Sequence, residues 1–203
     1  IPYRVSELHS RQYGDKGAGN QKLLAENLLF DLAKKNLLPV TVLRPHGVFG
    51  PVDPCQSGQV FYRLHNHLPI IGCGNRNARL NPVYVEDVVS GIINIIHNEK
   101  TFGKSYNLSG DSEFTLTGFV NLCQDISGRT SQLEYVADQT PYLKYGIDFR
   151  RHAGPITDWP KVDFVCDNTR IKLDANVQFT PTEEALKKTH SWLLQFFQHF
   201  RKC

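Results

Sequence analysis

The sequence predicts an α/β fold built on a parallel sheet, and three observations carry that expectation. Helical and strand patterns alternate through the first half of the 203 residues, the order that wraps crossover helices around parallel strands. Val40-Thr41-Val42-Leu43 puts apolar or β-branched side chains on consecutive positions, as in a strand buried on both faces. The run Asn20 to Asn36 spaces Leu24, Leu28 and Leu32 four apart, with Leu29 and Ala33 beside them, which describes one apolar helical stripe.

Taken in order, residues 1–19 are polar and glycine-rich and read as a leading loop. The helix over 20–36 closes on Lys34 and Lys35, which suit the negative end of its dipole. The strand 40–43 runs into Arg44-Pro45, a Gly/Pro loop follows, and a short helix is expected from Gln59 to His65. Leu68 to Ile71 is predicted as a strand entering the loop GCGNRNARLNP, and Val83 to Val85 as a brief strand. Glu86 and Asp87 supply the acidic first turn of a helix through Ile96, with Tyr84 packing and Asp87 capping it.

Ser105 to Leu108 is a further strand, followed by the turn Ser109-Gly110-Asp111. Thr115 is expected to cap a helix that Gly128 ends. Ala137 to Trp159 shows no period. Asp167 is expected to cap a short helix to Leu173, and Thr182 a final helix carrying Leu186, Trp192, Leu193, Phe196 and Phe197.

Composition narrows the function classes. A net charge of +3 with 21% charged residues is not the electrostatic footprint of a dedicated nucleic-acid binder. The five cysteines (Cys55, Cys73, Cys123, Cys166, Cys203) include no C-x-x-C pair, which argues against a disulfide framework and a zinc site and favours a soluble, reducing compartment. No metal site is predicted. No apolar run approaches the roughly 20 residues that cross a bilayer, and no signal peptide pattern is visible. The sequence opens Ile1-Pro2-Tyr3 and holds no Met, which predicts a fragment, a processed product or an incompletely recorded chain.

Four ordered segments carry a resemblance: K-L-L-A-E (Lys22 to Glu26), L-R-P-H-G-V-F-G-P (Leu43 to Pro51), V-Y-V-E-D-V (Val83 to Val88) and G-K-S-Y-N-L-S-G (Gly103 to Gly110). Together with D-N-T-R-I-K-L-D and F-T-P-T-E-E-A-L near the end, they resemble the C-terminal portion of the extended short-chain dehydrogenase/reductase family. That family includes NAD-dependent epimerases, dehydratases and 3β-hydroxysteroid dehydrogenases. The resemblance implies the second half of a Rossmann-like parallel sheet with a small C-terminal α/β substrate lobe. Residues 1–110 would hold the second half of the NAD(P)-binding domain with interleaved lobe segments, and 111–203 mainly the substrate-binding lobe and closing helices. The family's G-x-x-G-x-x-G phosphate turn is not in this sequence: Gly72-Cys73-Gly74 runs on into Asn75, Arg76 and Asn77.

The family's chemistry uses a Tyr and a Lys four residues apart, the Tyr passing a proton while the Lys holds the nicotinamide ribose. Lys22 fits the Lys role, but Ala18 stands four residues earlier, and its methyl group carries no proton. Tyr13 in Y-G-D-K is one residue short of the pattern if Lys16 is its partner. The resemblance puts Pro45 and His46 against the nicotinamide, at the carboxyl edge of the sheet where open α/β folds bind ligands. Relatives grip a substrate phosphate with a loop arginine through a bidentate guanidinium; alignment from Tyr84 puts Leu80 at that position, with Arg79 or Arg76 as substitutes, and Asn81 stands where relatives often carry Asp. Trp159 and Lys161 would fall near the substrate cleft.

The implied function is an NAD- or NADP-dependent oxidoreductase or epimerase/dehydratase-type protein acting on a hydroxyl of a nucleotide sugar or sterol-like small molecule. The alternative is a non-catalytic member of the fold. Val83 to Asn94 is similar to a respiratory complex I accessory subunit, and the Y-N-L-S-G segment resembles chloroplast stem-loop RNA-binding proteins. The helix over 20–36 could pair with its copy in a homodimer.

Overall fold

The computed structural model describes residues 4–7, 18–53, 56–73, 75–136 and 162–200. Tyr13, Lys16, Trp159 and Lys161 lie outside them. The fold is α/β and Rossmann-like, as expected, and every strand ladder among the described residues is parallel.

Helix α1 spans Ala18–Lys34, two residues earlier at each end than its leucine pattern suggests. Asn36, just beyond it, takes the left-handed conformation that stops a helix. Strand β2 follows at Thr41–Pro45. It pairs in register with β4 (Lys104–Leu108), from Thr41 opposite Lys104 to Pro45 opposite Leu108. Parallel neighbours need a long crossover, and here it carries α2 (Ser57–His65), β3 (Ile70–Cys73) and α3 (Val85–Ile95). Gly91 lets α3 approach the sheet, since a Cβ there would lie 3.0 Å from a Leu108 methyl.

Val83 to Val85 is not a strand. Tyr84 makes an isolated bridge to Phe49, and Val85 already opens α3 while its N–H donates to the Phe49 carbonyl. The β-branched pair yields to the acidic first turn, which favours a helix start. Asp87 does not cap its own helix. Its carboxylate accepts from the Thr180 N–H at 3.0 Å and the Thr180 hydroxyl at 2.7 Å, bolting α3 to the chain that leads into the last helix. Tyr84 packs as expected and is 2% exposed.

Helix α4 (Leu116–Ser127) begins at its predicted cap, with the Thr115 hydroxyl accepting from Gly118 N–H, and ends at Gly128 in the left-handed region. Strand β5 (Leu133–Val136) pairs with β3, and the two-residue β6 (Val165–Cys166) pairs with β1 (Arg4–Val5). In helix α5 (Thr169–Ala175) the cap position belongs to Asn168, while the Asp167 carboxylate still accepts from Thr169 N–H at 2.8 Å. The last helix, α6, spans Thr182–Phe200, so Thr182 is its first residue rather than its cap.

Two apolar clusters hold these elements. One gathers Phe61 and Leu64 of α2, Phe119 and Cys123 of α4, and Leu186 and Leu193 of α6. The other sets Tyr106 and Leu108 of β4 against Ile171 and Ala175 of α5, with Leu43 and Val88 at its margin. Among the described residues, no helix is long and apolar enough to cross a membrane.

Candidate functional site at the carboxyl end of the sheet

One shared cleft and one ion pair orient α1 against β2. Lys34 at the end of the helix and Val40 just before the strand line one cleft with Lys104, the first residue of β4. Nearer the other end, Arg44 forks onto Glu26: Nε to Oε2 at 3.2 Å and Nη2 to Oε1 at 2.5 Å. The helix therefore runs antiparallel to the strand, and stepping back from Glu26 toward the helix N-terminus advances toward the carboxyl end of β2.

Lys22 is one turn before Glu26 on the same face, about 6 Å along the axis at a rise of ~1.5 Å per residue. Two strand residues beyond Arg44 cover about 6.6 Å at ~3.3 Å each. Lys22 thus lies on the Pro45 side of Glu26, toward the carboxyl end of β2. Both Lys22 and Pro45 are exposed.

His46 is tied there by its backbone, whose N–H donates to the Leu108 carbonyl while its carbonyl accepts from Val83 N–H. Its ring meets Phe164 edge-on, with centroids 4.6 Å apart. Burial lowers the imidazole pKa, and a backbone hydrogen bond at Phe164 offsets part of that. The buried Nε2 has no hydrogen-bond partner among the described residues.

Phe164 links this edge to the arginine loop. Its N–H donates to the Arg79 carbonyl, and Arg79 N–H donates to the Asp163 carboxylate at 2.9 Å. The Arg79 side chain is half exposed and faces Glu113 at 3.5 Å, which also takes Arg4 at 2.7 Å. Arg76 is exposed in the same loop. Asn81 is buried and used at both ends: its amide donates to the Cys166 and Gly110 carbonyls, and its oxygen accepts from Cys166 N–H. A carboxylate could accept there but not donate, which accounts for Asn at this position.

Sequence reasoning gave no role to the Glu26–Arg44 fork, to Phe164 or to Glu113. The L-R-P and K-x-x-x-E strings held the signal for the fork, because a half-buried guanidinium requires a carboxylate. Nothing in the sequence pairs Phe164 with His46. Among the described residues, no cluster of three or more His, Cys, Asp or Glu side chains could hold a metal.

A sequence model of the NAD dependent epimerase/dehydratase family matches residues 18–109, from the start of α1 to just past β4. The chain is 26% identical over 192 residues to the mitochondrial NADH dehydrogenase (ubiquinone) 1 alpha subcomplex subunit 9 of Dictyostelium discoideum, covering 90% of this chain and 52% of that protein. It is 28% identical over 121 residues to YtcB of Bacillus subtilis (strain 168), described as an uncharacterized UDP-glucose epimerase; 58% of this chain and 38% of the relative are covered. The crystal structure of UDP-glucuronic acid 4-epimerase from Bacillus cereus in complex with NAD matches with a TM-score of 0.75 at 16% identity, over 95% of this chain and 56% of that one.

These findings bear out the resemblance to the C-terminal portion of extended short-chain dehydrogenases/reductases. Residues 18–109 carry the signature of the NAD-dependent epimerases and dehydratases, and the fold is theirs. The chain spans about half the length, or less, of these curated relatives. The residues present are compatible with the nicotinamide end of a dinucleotide: an exposed strand end at Pro45, an exposed lysine on the helix that runs toward it, and a buried imidazole nitrogen without a hydrogen-bond partner among the described residues.

Proposed function

We propose that this protein is an NAD-dependent oxidoreductase or epimerase/dehydratase-type protein acting on a hydroxyl of a nucleotide sugar or sterol-like substrate. The observation that carries the reading is the Glu26–Arg44 fork, which puts Lys22, one helical turn before Glu26, on the side of the carboxyl end of β2, where parallel α/β sheets bind ligands. Lys22 holds the nicotinamide ribose, and Pro45 and His46 flank the ring. Bound NAD supplies the hydride acceptor. Arg79, with Arg76, meets a substrate phosphate after exchanging Glu113 for it, and Trp159 belongs to the substrate side. The lobe around α2, α4 and α6 carries that side, with the division near residue 110 interleaved along the chain. Tyr13, with Lys16 as its neighbour, is the candidate proton carrier. NADP is the second cofactor to test.

Calorimetric titration of the full-length protein should give saturable NAD binding, weakened about tenfold or more by Lys22→Ala, a loss of ~1.4 kcal/mol. No binding of either NAD or NADP overturns the reading.

A second reading is favoured by one specific observation: the position four residues before Lys22 is Ala18, which passes no proton. On this reading the protein is an accessory subunit of a larger complex, similar to the Dictyostelium relative, and holds a dinucleotide without turning it over. NAD that stays bound but is never reduced by candidate alcohols, in a protein that copurifies with partner chains, selects it. An RNA-binding role would instead show affinity falling steeply with salt. Leu24 and Leu28 on α1 are 56% and 62% exposed, which supports a homodimer through that helix under either reading.

A further inference from the structure

We infer that Glu26 and Arg44 are positioning residues: their fork sets the height and rotation of α1, so that Lys22 stands over the end of β2. The inference rests on the proposed role of Lys22 and deepens it.

No residue from 20 to 34 is buried, although the helix carries leucines throughout and spans 17 residues. Apolar contacts are non-directional, and a helix with only half-buried contacts can roll or slide without losing much of them. The Glu26–Arg44 pair acts differently. A guanidinium and a carboxylate meeting through two parallel bonds have one plane and one distance. The two side chains are also well placed to act, being 12% and 25% exposed, which limits competition from water and salt.

The geometry of the pair carries directly to Lys22. Glu26 and Lys22 are one turn apart on a single face, so fixing one rotation fixes the other. Arg44 is the residue before Pro45, so the fork is anchored at the strand end where Lys22 is to act. Sliding α1 by one residue would move Lys22 about 1.5 Å along the axis and turn it about 100° away. The fork forbids this, because its two bonds, at 3.2 and 2.5 Å, cannot both survive the move.

A double-mutant cycle separates positioning from simple support of the fold. NAD affinity and Tm are measured on the full-length protein, on Lys22→Ala, on Glu26→Gln and on the double variant. Glu26→Gln is expected to weaken NAD about tenfold on its own, and by no more than about twofold when Lys22 is already Ala. Arg44→Lys, which keeps the charge and drops the fork, should show the same dependence on Lys22 with a smaller change in Tm, and serves if Glu26→Gln fails to fold. Equal losses in both backgrounds, or none in either, overturn the positioning role and leave Lys22 as proposed. Lys22→Ala binding NAD as tightly as the wild type overturns the proposed role of Lys22, and the inference falls with it.

Discussion

Helices α1 and α4 both carry leucines and other apolar residues along their length, yet they meet their neighbours by different means. Helix α4 buries Leu116, Phe119, Val120 and Cys123 among side chains from α2 and α6. Helix α1 leaves residues 20–34 half-buried or exposed and meets β2 through a charged fork. A core built on area tolerates small shifts and fixes no single group. A fork fixes one group and adds little area. The difference separates a lobe that supplies stability from a helix that places a lysine, and substitutions in the two should behave differently.

The largest effect should come from the lobe. Phe119 is 1% exposed and meets Phe49 and Phe114 edge-on, with centroids 6.1 and 6.2 Å away. Phe119→Ala removes a buried ring and leaves a cavity, a loss of about 3–5 kcal/mol. Chemical denaturation should show it as a lower midpoint, with NAD affinity of the folded fraction close to that of the wild type. An affinity loss as large as that of Lys22→Ala would erase the distinction between the two regions.

The two regions also differ in how far the sequence reveals them. Helices α3, α4 and α6 were legible because apolar period, acidic first turns and caps such as Thr115 and Gly128 agree with one another. Strand β2 was legible from consecutive apolar or β-branched residues, although it is half-buried rather than buried on both faces, and β4, which is buried, from the Ser105 to Leu108 segment. Strands β1 and β6 have two residues each, too few for any period, and β5 is a mixed Leu-Glu-Tyr-Val string. They exist because partners far along the chain pair with them, as Arg4 does with Val165. Lys22, Pro45 and His46 could be singled out from motif strings, but the direction in which α1 carries Lys22 could not. It follows from the antiparallel run of α1 along β2, which only a long-range contact reveals.

A smaller loss is expected at the bolt between α3 and the start of α6. Asp87 is 5% exposed, and its carboxyl pKa is raised chiefly by burial, against the lowering by its two hydrogen bonds from Thr180. Asp87→Ala leaves those two donors without their acceptor and should cost about 2 kcal/mol. The change should appear in the denaturation midpoint and leave NAD affinity alone, placing this residue with the lobe rather than with the fork.

Acid should loosen the lobe in a directed way. His190 of α6 lies against Phe61, with centroids 4.8 Å apart, and its pKa is lowered from 6.5, first by burial and then by the charges of His65 and Arg129. Its folded value therefore lies below the unfolded one. The associated stability is whole above the unfolded value near 6.5 and is lost as pH falls through the folded value, because the unfolded chain binds the proton more readily. His46 at the sheet edge is shifted in the same direction. Tm measured from pH 7.5 down to 5 should fall more steeply for the wild type than for His190→Gln. Parallel curves would remove His190 from the account.

The smallest stability effect should come from α1. Leu24 and Leu28 are largely exposed, so replacing both with Ser takes little apolar surface out of the folded molecule. Stability should change by no more than about 0.5 kcal/mol per site, the usual range for exposed positions. The informative readout is assembly. Exposed leucines one turn apart form a stripe that a second copy can cover, so sedimentation should show wild-type dimers giving way to monomers in Leu24→Ser/Leu28→Ser. The Glu26–Arg44 fork is untouched by these changes, so NAD affinity per chain should hold. A stability loss of several kcal/mol with no change in assembly would mean that these leucines are covered within the chain, and α1 would then be held by packing as α4 is.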